Sequence, residues 1–168
     1  MKHIMKKPLV YIIILNWNGK EDTIECINSV KKIDYPNYKI LIVDNGSSDG
    51  SVKIFKKKYP KIKIIQNKKN LGYAEGNNVG IRYALKNKTD YVLILNNDTV
   101  VDKKFLTELV RVAESDDKIG VVGPKVYYYG TNKIQFMGIK HLFWNLVMYR
   151  KIVGRNQEDK GQFDYFTD

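Results

Sequence analysis

Three apolar runs that each end in asparagine or aspartate constrain the fold of this 168-residue chain most strongly. Their richness in Ile, Leu and Val is typical of parallel strands that are covered on both faces. Because ligands of open α/β sheets bind outside the carboxyl ends of such strands, we expect the polar ends to share one edge of a sheet. Taken singly, each run also fits a strand followed by an ordinary polar turn. The runs with their polar ends are residues 9–15 with Asn16 to Gly19, residues 40–43 with Asp44 to Gly50, and residues 91–95 with Asn96 to Asp98.

The segments between these runs carry apolar residues at helical spacing. Strands that alternate with helices indicate a parallel or mixed sheet with right-handed crossovers. We therefore expect an α/β sandwich with a mainly parallel central sheet, in which Asp49 caps the second helix. The predicted helices span residues 21–32, 51–59, 73–86 and 102–115, and further strands are predicted over residues 62–65 and 121–123.

The composition is basic, with 29 Lys and Arg residues against 18 Asp and Glu and a net charge of +11. The excess is overwhelmingly lysine and forms chiefly a solvated surface, which could also attract anionic lipid headgroups or anionic ligands. Nucleic-acid binding is the natural alternative, but no RNP-like or zinc-knuckle signature is present, so no nucleic-acid partner is expected. The single Cys26 is expected to be buried, and the lack of a disulfide framework favours a reducing compartment.

No stretch is long enough to span a bilayer, and the first apolar run is too short for a signal peptide. The protein is therefore expected in the cytoplasm, with peripheral contact at the inner face of the membrane left open. Residues 136–153 are rich in aromatic and apolar side chains. They fit either a core stripe or an acceptor-side loop, which we favour, or an amphipathic helix with a membrane-facing surface.

Four segments carry a family resemblance, and their order and spacing matter more than any one of them. Together they resemble the N-terminal part of family 2 glycosyltransferases with the GT-A fold, most closely the rhamnosyltransferase-like branch. The resemblance implies a three-layer α/β/α sandwich, with an N-terminal tail (residues 1–7), a nucleotide-sugar-binding domain (8–126) and the incomplete start of an acceptor-side region (127–168). The segments are LNWNG (15–19), VDNGSSDGS (43–51), NLGYAEGNNVG (70–80) and LNNDT (95–99).

In the family that the chain resembles, the end of the first strand and the aspartate after the second hold the nucleobase and ribose. Those positions are occupied here by Asn16, Asn18 and Asp44. A carboxylate can accept the imide N–H of uracil or thymine, so the resemblance gives Asp44 a base-binding role. The alternative is an aspartate that only caps the following turn.

The glycine-rich segment 70–80 is the second informative stretch. Its glycines permit close backbone approach or positive φ, and two amides fall on the first turns of a predicted helix, whose N-terminus suits phosphate. The resemblance places this segment beside the nucleotide and implies that Asn70, Gly72 and Asn78 bind it. An ordinary loop before a glycine-rich helix start is the alternative.

Asp98 matches the metal-binding aspartate of the family motif, and Asn96 stands where many members carry an acidic residue directed at the ribose or a metal-bound water. Carboxylate and carbonyl oxygens suit Mg²⁺ or Mn²⁺, and substrate phosphates commonly complete the coordination. Because the amide of Asn96 brings no charge, we expect the metal to bind weakly unless a nucleotide is present.

The resemblance implies an enzyme that transfers a sugar from a UDP- or dTDP-sugar, with rhamnose as a candidate, to a glycan or lipid-linked acceptor. Such an enzyme serves polysaccharide or envelope glycan synthesis with inversion at the sugar carbon. Inversion needs a general base, and neither Asp164 nor Asp168 matches the family's base motif, so no base is assigned. The chain is thus expected to be a truncated donor-binding half. The alternative is a non-catalytic nucleotide-binding remnant that lacks the acceptor half.

Overall fold

The computed structural model of the chain describes residues 7–144 and 147–161, and the side chains of residues 139–152 are outside that description. The chain forms two compact units, Met1–Thr107 and Glu108–Asp168. The predicted tail falls almost wholly on residues that are not described, and Asp164 and Asp168 are also outside the described residues. The boundary at residue 126 is predicted for the domain that binds the nucleotide sugar. Where that domain ends depends on which residues bind the ligand, so the boundary stays a prediction.

The first unit is built on a parallel sheet, as the apolar runs predicted. Its strands β1, β2, β3 and β4 lie in the order β3-β2-β1-β4, and every pair is parallel. In this register Asn16 lies opposite Asp44, and Leu15 lies opposite Asn96, so the polar strand ends do meet at one edge. The strands are β1 Val10–Asn16, β2 Tyr38–Asp44, β3 Lys63–Gln66 and β4 Tyr91–Asn96.

The helices also follow the sequence pattern, with ends within two residues of prediction apart from the start of the last one. The last helix begins at Phe105 rather than at Asp102, because the Asp102 carboxylate accepts the Lys104 N–H at 2.7 Å. That local bond holds a turn where the first helical turn was expected. The helices are α1 Lys20–Val30, α2 Ser51–Lys58, α3 Gly72–Lys86 and α4 Phe105–Ala113.

Side-chain alternation along β1 and β2 divides the core of the first unit between two faces of the sheet. One face packs against Ala84 of α3 in a single buried cluster with Tyr11, Ile13, Leu41 and Val43. The opposite face carries the fully buried Ile12, Ile14 and Ile42, and the buried residues of α1 and α2 include Cys26, Ile27 and Phe55. The burial predicted for Cys26 is confirmed.

Two glycines allow α3 to lie unusually close to the sheet. A Cβ atom on Gly76 would lie 2.7 Å from Leu15 Cδ1, and one on Gly80 would lie 2.7 Å from Ile13 Cγ2. Real Cβ contacts are not that short, so close approach is the reason for glycine at both positions.

The described residues of the second unit form two antiparallel strand pairs. Residues 121–123 are not a strand, because Val121 is 93% exposed and no neighbouring strand pairs with this segment in the described residues. Within the stretch over residues 136–153, residues 139–144 and 147–152 form strands rather than an amphipathic helix or a loop, since β-branched and aromatic residues favour strands. The pairs are β5 Val126–Tyr127 with β6 Ile134–Phe136, and β7 Ile139–Trp144 with β8 Val147–Ile152.

Among the helices of the described residues, none combines the length and the apolar character that crossing a bilayer requires.

Candidate functional site

The polar strand ends divide between the two faces of the sheet according to their position in the strand. Asn16 and Asp44 continue the side of Ile12, Ile14 and Ile42, towards α1. Asn45 and Asn96 fall on the opposite side, towards α3, and both make hydrogen bonds with the α3 region. The strand period therefore decides which helix each polar residue at this edge can reach.

Asn16 is completely buried and uses all four hydrogen-bonding positions of its amide. Its Nδ2 donates to Asp44 Oδ2 at 2.8 Å and to Ser47 Oγ at 3.0 Å. Its Oδ1 accepts from Thr23 Oγ1 at 2.8 Å and from the Gly19 N–H at 3.3 Å. An amide can make no more bonds than these, so in this conformation Asn16 positions its neighbours rather than presenting a group to a ligand.

Asp44 is also completely buried. Besides the bond from Asn16, its Oδ1 accepts the Ser47 N–H at 3.0 Å, as the turn-capping alternative requires. A nucleobase could reach the carboxylate only if the loop after β2 moved. Direct base binding by Asp44 stays a prediction, and the structure adds a role in shaping that loop.

Asn18 connects the loop after β1 with the loop after β2. It adopts a φ of 51°, its N–H donates to Ser47 Oγ at 2.9 Å, and its Oδ1 accepts the Ser48 N–H at 2.8 Å. Unlike Asn16 and Asp44, the residue is exposed. Asn18 can therefore contact a ligand while it holds the two loops together.

Asn45 is the main structural residue of the site that the sequence did not single out. It is 2% exposed, and its Oδ1 accepts from Asn67 Nδ2 and the Leu71 N–H, both at 3.1 Å. Its Nδ2 donates to Asn70 Oδ1 at 2.7 Å and to the Gly72 carbonyl at 3.1 Å. The strand alternation gave a signal for this role, because Asn45 follows the buried β2 on the α3 side.

Asn70 and Gly72 are thus brought to the same edge as Asn45. Asn70 Oδ1 also accepts the Gly72 N–H at 2.8 Å, and Gly72 has a φ of 77°, which only glycine adopts without strain. The expectation that glycine serves a positive φ in this segment is confirmed for Gly72. Nucleotide contact by either residue stays a prediction.

Asn78 is not brought into this network. It is exposed, and its Nδ2 donates to Glu75 Oε2 at 3.3 Å, beside the ion pair between Glu75 and Arg82. The amide that faces inward is Asn77, which is 3% exposed and donates to the Tyr73 carbonyl at 3.0 Å. Its Oδ1 is buried without a hydrogen-bond partner in the described part of the chain.

A cleft of about 340 Å³ opens at the carboxyl ends of β2 and β3. It is lined by Gly46, Ser47, Gln66, Asn67 and Lys68, and its surface is mainly polar. The volume falls within the range of small-molecule sites in proteins. Ser47 and Asn67 belong to the networks around Asp44 and Asn45, so those two buried residues fix the walls of the cleft.

The loop after β4 is held on both sides. Tyr73 donates its hydroxyl to Asn96 Oδ1 at 3.0 Å, and Asn97 Nδ2 donates to Thr23 Oγ1 at 3.0 Å. A Cβ atom at Gly19 would lie 2.5 Å from Asn97 Nδ2, so a larger residue at position 19 would displace the Asn97 amide. Asp98 follows these anchored amides and is exposed to solvent.

The side chains of this loop suit a hard divalent cation whose remaining oxygen ligands come from a bound substrate. In the described part of the chain no group of three His, Cys, Asp or Glu residues could hold a metal ion. Asp98 offers one exposed carboxylate, and amide oxygens follow the same strand, a donor type that suits Mg²⁺ or Mn²⁺. Cys26 Sγ lies 3.6 Å from the Asn96 carbonyl, but burial raises its pKa to about 11, so the thiol stays protonated and is a poor metal ligand.

Comparison with known proteins identifies the family. The model of the family "Glycosyl transferase family 2" matches residues 11–167. Glycosyltransferase GlyG of Streptococcus pneumoniae is 26% identical over 68% of this chain and 38% of its own length. The cholesterol galactosyltransferase of Borreliella burgdorferi is 30% identical over 77% of this chain and 36% of its own length. The chain therefore spans well under half the length of these relatives.

Solved structures agree on the GT-A fold. The mannosyltransferase PcManGT of Pyrobaculum calidifontis, in complex with GDP-Man and Mn²⁺, superimposes with a TM-score of 0.61 at 22% identity, covering 69% of this chain and 35% of that one. TarS 1–349 of S. aureus, in complex with UDP-GlcNAc, gives a TM-score of 0.57 at 21% identity, covering 73% and 41%. With the family match over most of its residues, the chain is a member of glycosyltransferase family 2.

Proposed function

We propose that this chain supplies the donor-binding part of a glycosyltransferase that uses a UDP- or dTDP-sugar, with rhamnose as the candidate sugar. The acceptor is a glycan or a lipid-linked glycan, and transfer inverts the sugar carbon. One observation carries the proposal: the carboxyl edge of the sheet combines a polar cleft with an exposed carboxylate, and the chain is a member of family 2. The cleft lies after β2 and β3, and Asp98 follows β4.

The base and ribose of the donor are assigned to the cleft. Gln66 and Asn67 offer amide donors and acceptors that match the imide and carbonyl groups of a pyrimidine. Lys68 adds a positive charge at the same wall. The buried Asp44 and Asn45 contribute by fixing Ser47 and Asn67, and Asn18 reaches the ligand from the loop after β1.

The diphosphate is assigned to the side of Asn96 and Asp98. Asp98 would hold Mg²⁺ or Mn²⁺ jointly with phosphate oxygens of the donor, and a cation there neutralises charge on the leaving diphosphate. The Mn²⁺ in the PcManGT complex supports this assignment as an analogy of fold. No residue is proposed as the general base.

A thermal-shift panel tests the proposal. The panel contains UDP, dTDP, UDP-GlcNAc, dTDP-rhamnose and GDP-mannose, each with Mn²⁺, with Mg²⁺ and with EDTA. A ligand at about 100 times its Kd adds about 2.7 kcal/mol of stability, which raises the Tm of a domain of this size by roughly 5–10 °C. We expect the pyrimidine nucleotides to raise the Tm, and to raise it further with metal.

The outcomes of the panel separate the alternatives. If no nucleotide raises the Tm, donor binding by this chain is contradicted. A larger shift with GDP-mannose than with any pyrimidine nucleotide would overturn the pyrimidine assignment. Binding that is indifferent to metal would favour either a nucleotide-binding module without transferase chemistry or a metal-independent branch of the family.

A further inference from the structure

The region between Gly50 and Ala74 is strongly cationic. It holds eight lysines and no aspartate, glutamate or arginine. All eight lysines are exposed, and none of them forms an ion pair with a described residue. We call this surface the lysine edge, and its members are Lys53, Lys56, Lys57, Lys58, Lys61, Lys63, Lys68 and Lys69.

Helix α2 orders the first part of the lysine edge. Its inward side is fixed by Ser51 and Phe55, which are 1% and 0% exposed. At 3.6 residues per turn, Lys53 and Lys57 then fall on the opposite side of the helix. The 39% exposed Ile54 adjoins them and adds an apolar group to a charged surface.

Strand β3 continues the lysine edge. It is the outermost strand in the sheet order, pairing only with β2 among the described strands. Lys61 and Lys63 precede and begin it, and Lys68 and Lys69 follow its carboxyl end. Because α2 contacts β3, the two parts of the lysine edge adjoin, and Lys68 brings its end to the wall of the cleft.

Protection of a sheet edge by lysine is the simplest role for such charges, because an exposed strand edge invites pairing with another chain. That role accounts for Lys63 on β3. It does not account for Lys53, Lys56 and Lys57, which lie on a helix whose backbone is already paired. Lys56 and Lys57 lie in the last turn of α2, where the helix dipole favours them, but Lys53 in its first turn gains nothing from the dipole, and a binding role is the further explanation.

Nucleic acid is a poor match for these lysines. Proteins that bind single strands stack bases on exposed aromatic side chains, and arginine provides the forked contact to phosphate. The region has no arginine, and of its three aromatic residues Phe55 and Tyr59 are 0% and 5% exposed, whereas the exposed Tyr73 lies beyond the last of the lysines and donates its hydroxyl to Asn96. Compact point charges on flexible stems instead suit a diffuse layer of anionic headgroups.

We propose that the lysine edge binds the surface of an anionic lipid bilayer, with α2 facing the headgroups. Each lysine near such a surface contributes about 1 kcal/mol, and the eight lysines of the edge reach the number at which basic clusters bind anionic lipid. The exposed Ile54 adds apolar contact at the headgroup boundary. This inference does not depend on sugar transfer, because attachment requires neither donor nor acceptor.

Vesicle sedimentation of the full chain tests the proposal, with vesicles of phosphatidylcholine alone and with equal parts of phosphatidylglycerol. We expect binding only to the anionic vesicles, and loss of binding as ionic strength rises from about 0.01 to 1 M, where the Debye length falls from about 30 to 3 Å. The triple variant Lys53→Gln, Lys56→Gln, Lys57→Gln should bind about 100-fold more weakly, roughly fivefold for each lysine.

A charge-matched control shows whether the location of the lysines matters. Lys32→Gln, Lys86→Gln, Lys104→Gln removes the same number of exposed charges outside the lysine edge and should retain binding. The proposal is overturned if the parent does not bind anionic vesicles at low salt, or if the control triple loses as much as the α2 triple. It is also overturned if a single-stranded oligonucleotide displaces the parent from vesicles at equal charge concentration. Far-ultraviolet circular dichroism and Tm confirm that both triples are folded.

Discussion

Asn16 and Asp44 end neighbouring parallel strands, lie opposite each other in the register, and share a hydrogen bond of 2.8 Å in which the amide donates. Both side chains are fully buried. The pair therefore supports the loops that follow β1 and β2 from beneath. A ligand can contact the residues that this pair positions, which are Ser47, Asn18 and the walls of the cleft.

Replacing Asn16 should cost stability before it affects binding. Asn16→Ala removes four hydrogen bonds, among them the one that Asp44 Oδ2 accepts and the one that the Thr23 hydroxyl donates, which we expect to lower the free energy of unfolding by about 3 kcal/mol. Urea denaturation measures the loss. Asn78→Ala is the control, because its exposed side chain bonds only at the helix surface to Glu75 and alanine suits the helix, so the change should cost about 0.5 kcal/mol or less. Equal stability of the two variants would show that the buried network does not hold the edge together.

Asp44→Ala tests the nucleobase assignment. If the carboxylate pairs with the base, its removal should weaken binding of UDP or dTDP about tenfold or more, since one charged hydrogen bond is worth about 1.5–3 kcal/mol. Because Asp44 is buried and accepts two hydrogen bonds, the free protein should also melt at a lower temperature. Calorimetric titration well below that Tm separates the effects. Unchanged affinity in the folded variant would leave Asp44 with a turn-capping role only.

The sequence predicted the sheet and its polar edge because strand period and Asn or Asp endings are local signals. It could not tell which polar residues would be buried, since that depends on pairing register. Asn16 is buried because it meets Asp44 across the strands, whereas Asn96 lies opposite the apolar Leu15 and remains exposed. The sequence does not single out Asn45, because an Asn-Gly pair after a strand predicts a turn from local propensity alone.

The errors in the second unit have a related cause. A short apolar run becomes a strand only where a neighbouring strand supplies hydrogen bonds, and residues 121–123 have none in the described part of the chain. In the stretch over residues 136–153, the apolar residues are so frequent that they fit both the helical and the strand spacing. It forms strands because β7 and β8 pair with each other along their whole length.

Cys26 should make stability fall at alkaline pH. Burial raises its pKa from an ordinary 9.0 to about 11. The folded state therefore holds the thiol proton over a range in which the unfolded chain releases it. The sign of the linkage is that this contribution is fully present below pH 9 and is lost as pH rises towards 11. Urea denaturation of the parent and of Cys26→Ala across that range should show a shallower decline for the variant, and parallel curves would contradict the assignment.

Tyr73→Phe tests whether the orientation of Asn96 matters to the ligand. The Tyr73 hydroxyl directs Asn96 Oδ1 towards α3, which leaves the amide NH₂ available at the edge. Loss of this exposed bond should change stability by less than about 0.5 kcal/mol but weaken nucleotide binding roughly three- to tenfold. Tyr38→Phe is the control, because its hydroxyl donates to the Val30 carbonyl at 3.3 Å, away from the carboxyl edge. Equal affinities in both variants would contradict a positioning role for Tyr73.

Asp98→Asn separates metal binding from nucleoside binding. With one carboxylate and neighbouring amides, the free loop should hold Mn²⁺ weakly, and donor phosphates should supply the missing oxygens, so metal and nucleotide bind cooperatively. Calorimetric titration of UDP and of uridine, each with and without Mn²⁺, measures this coupling in the parent and the variant. We expect Mn²⁺ to tighten UDP binding to the parent at least tenfold, a coupling of about 1.4 kcal/mol, and to have little effect on Asp98→Asn. Uridine should bind both proteins alike. Asp102→Asn is the matched control, since its carboxylate already accepts the Lys104 N–H at the start of the following turn. If Mn²⁺ leaves UDP affinity unchanged in the parent, Asp98 is not a metal ligand, and donor binding by this edge proceeds without a cation.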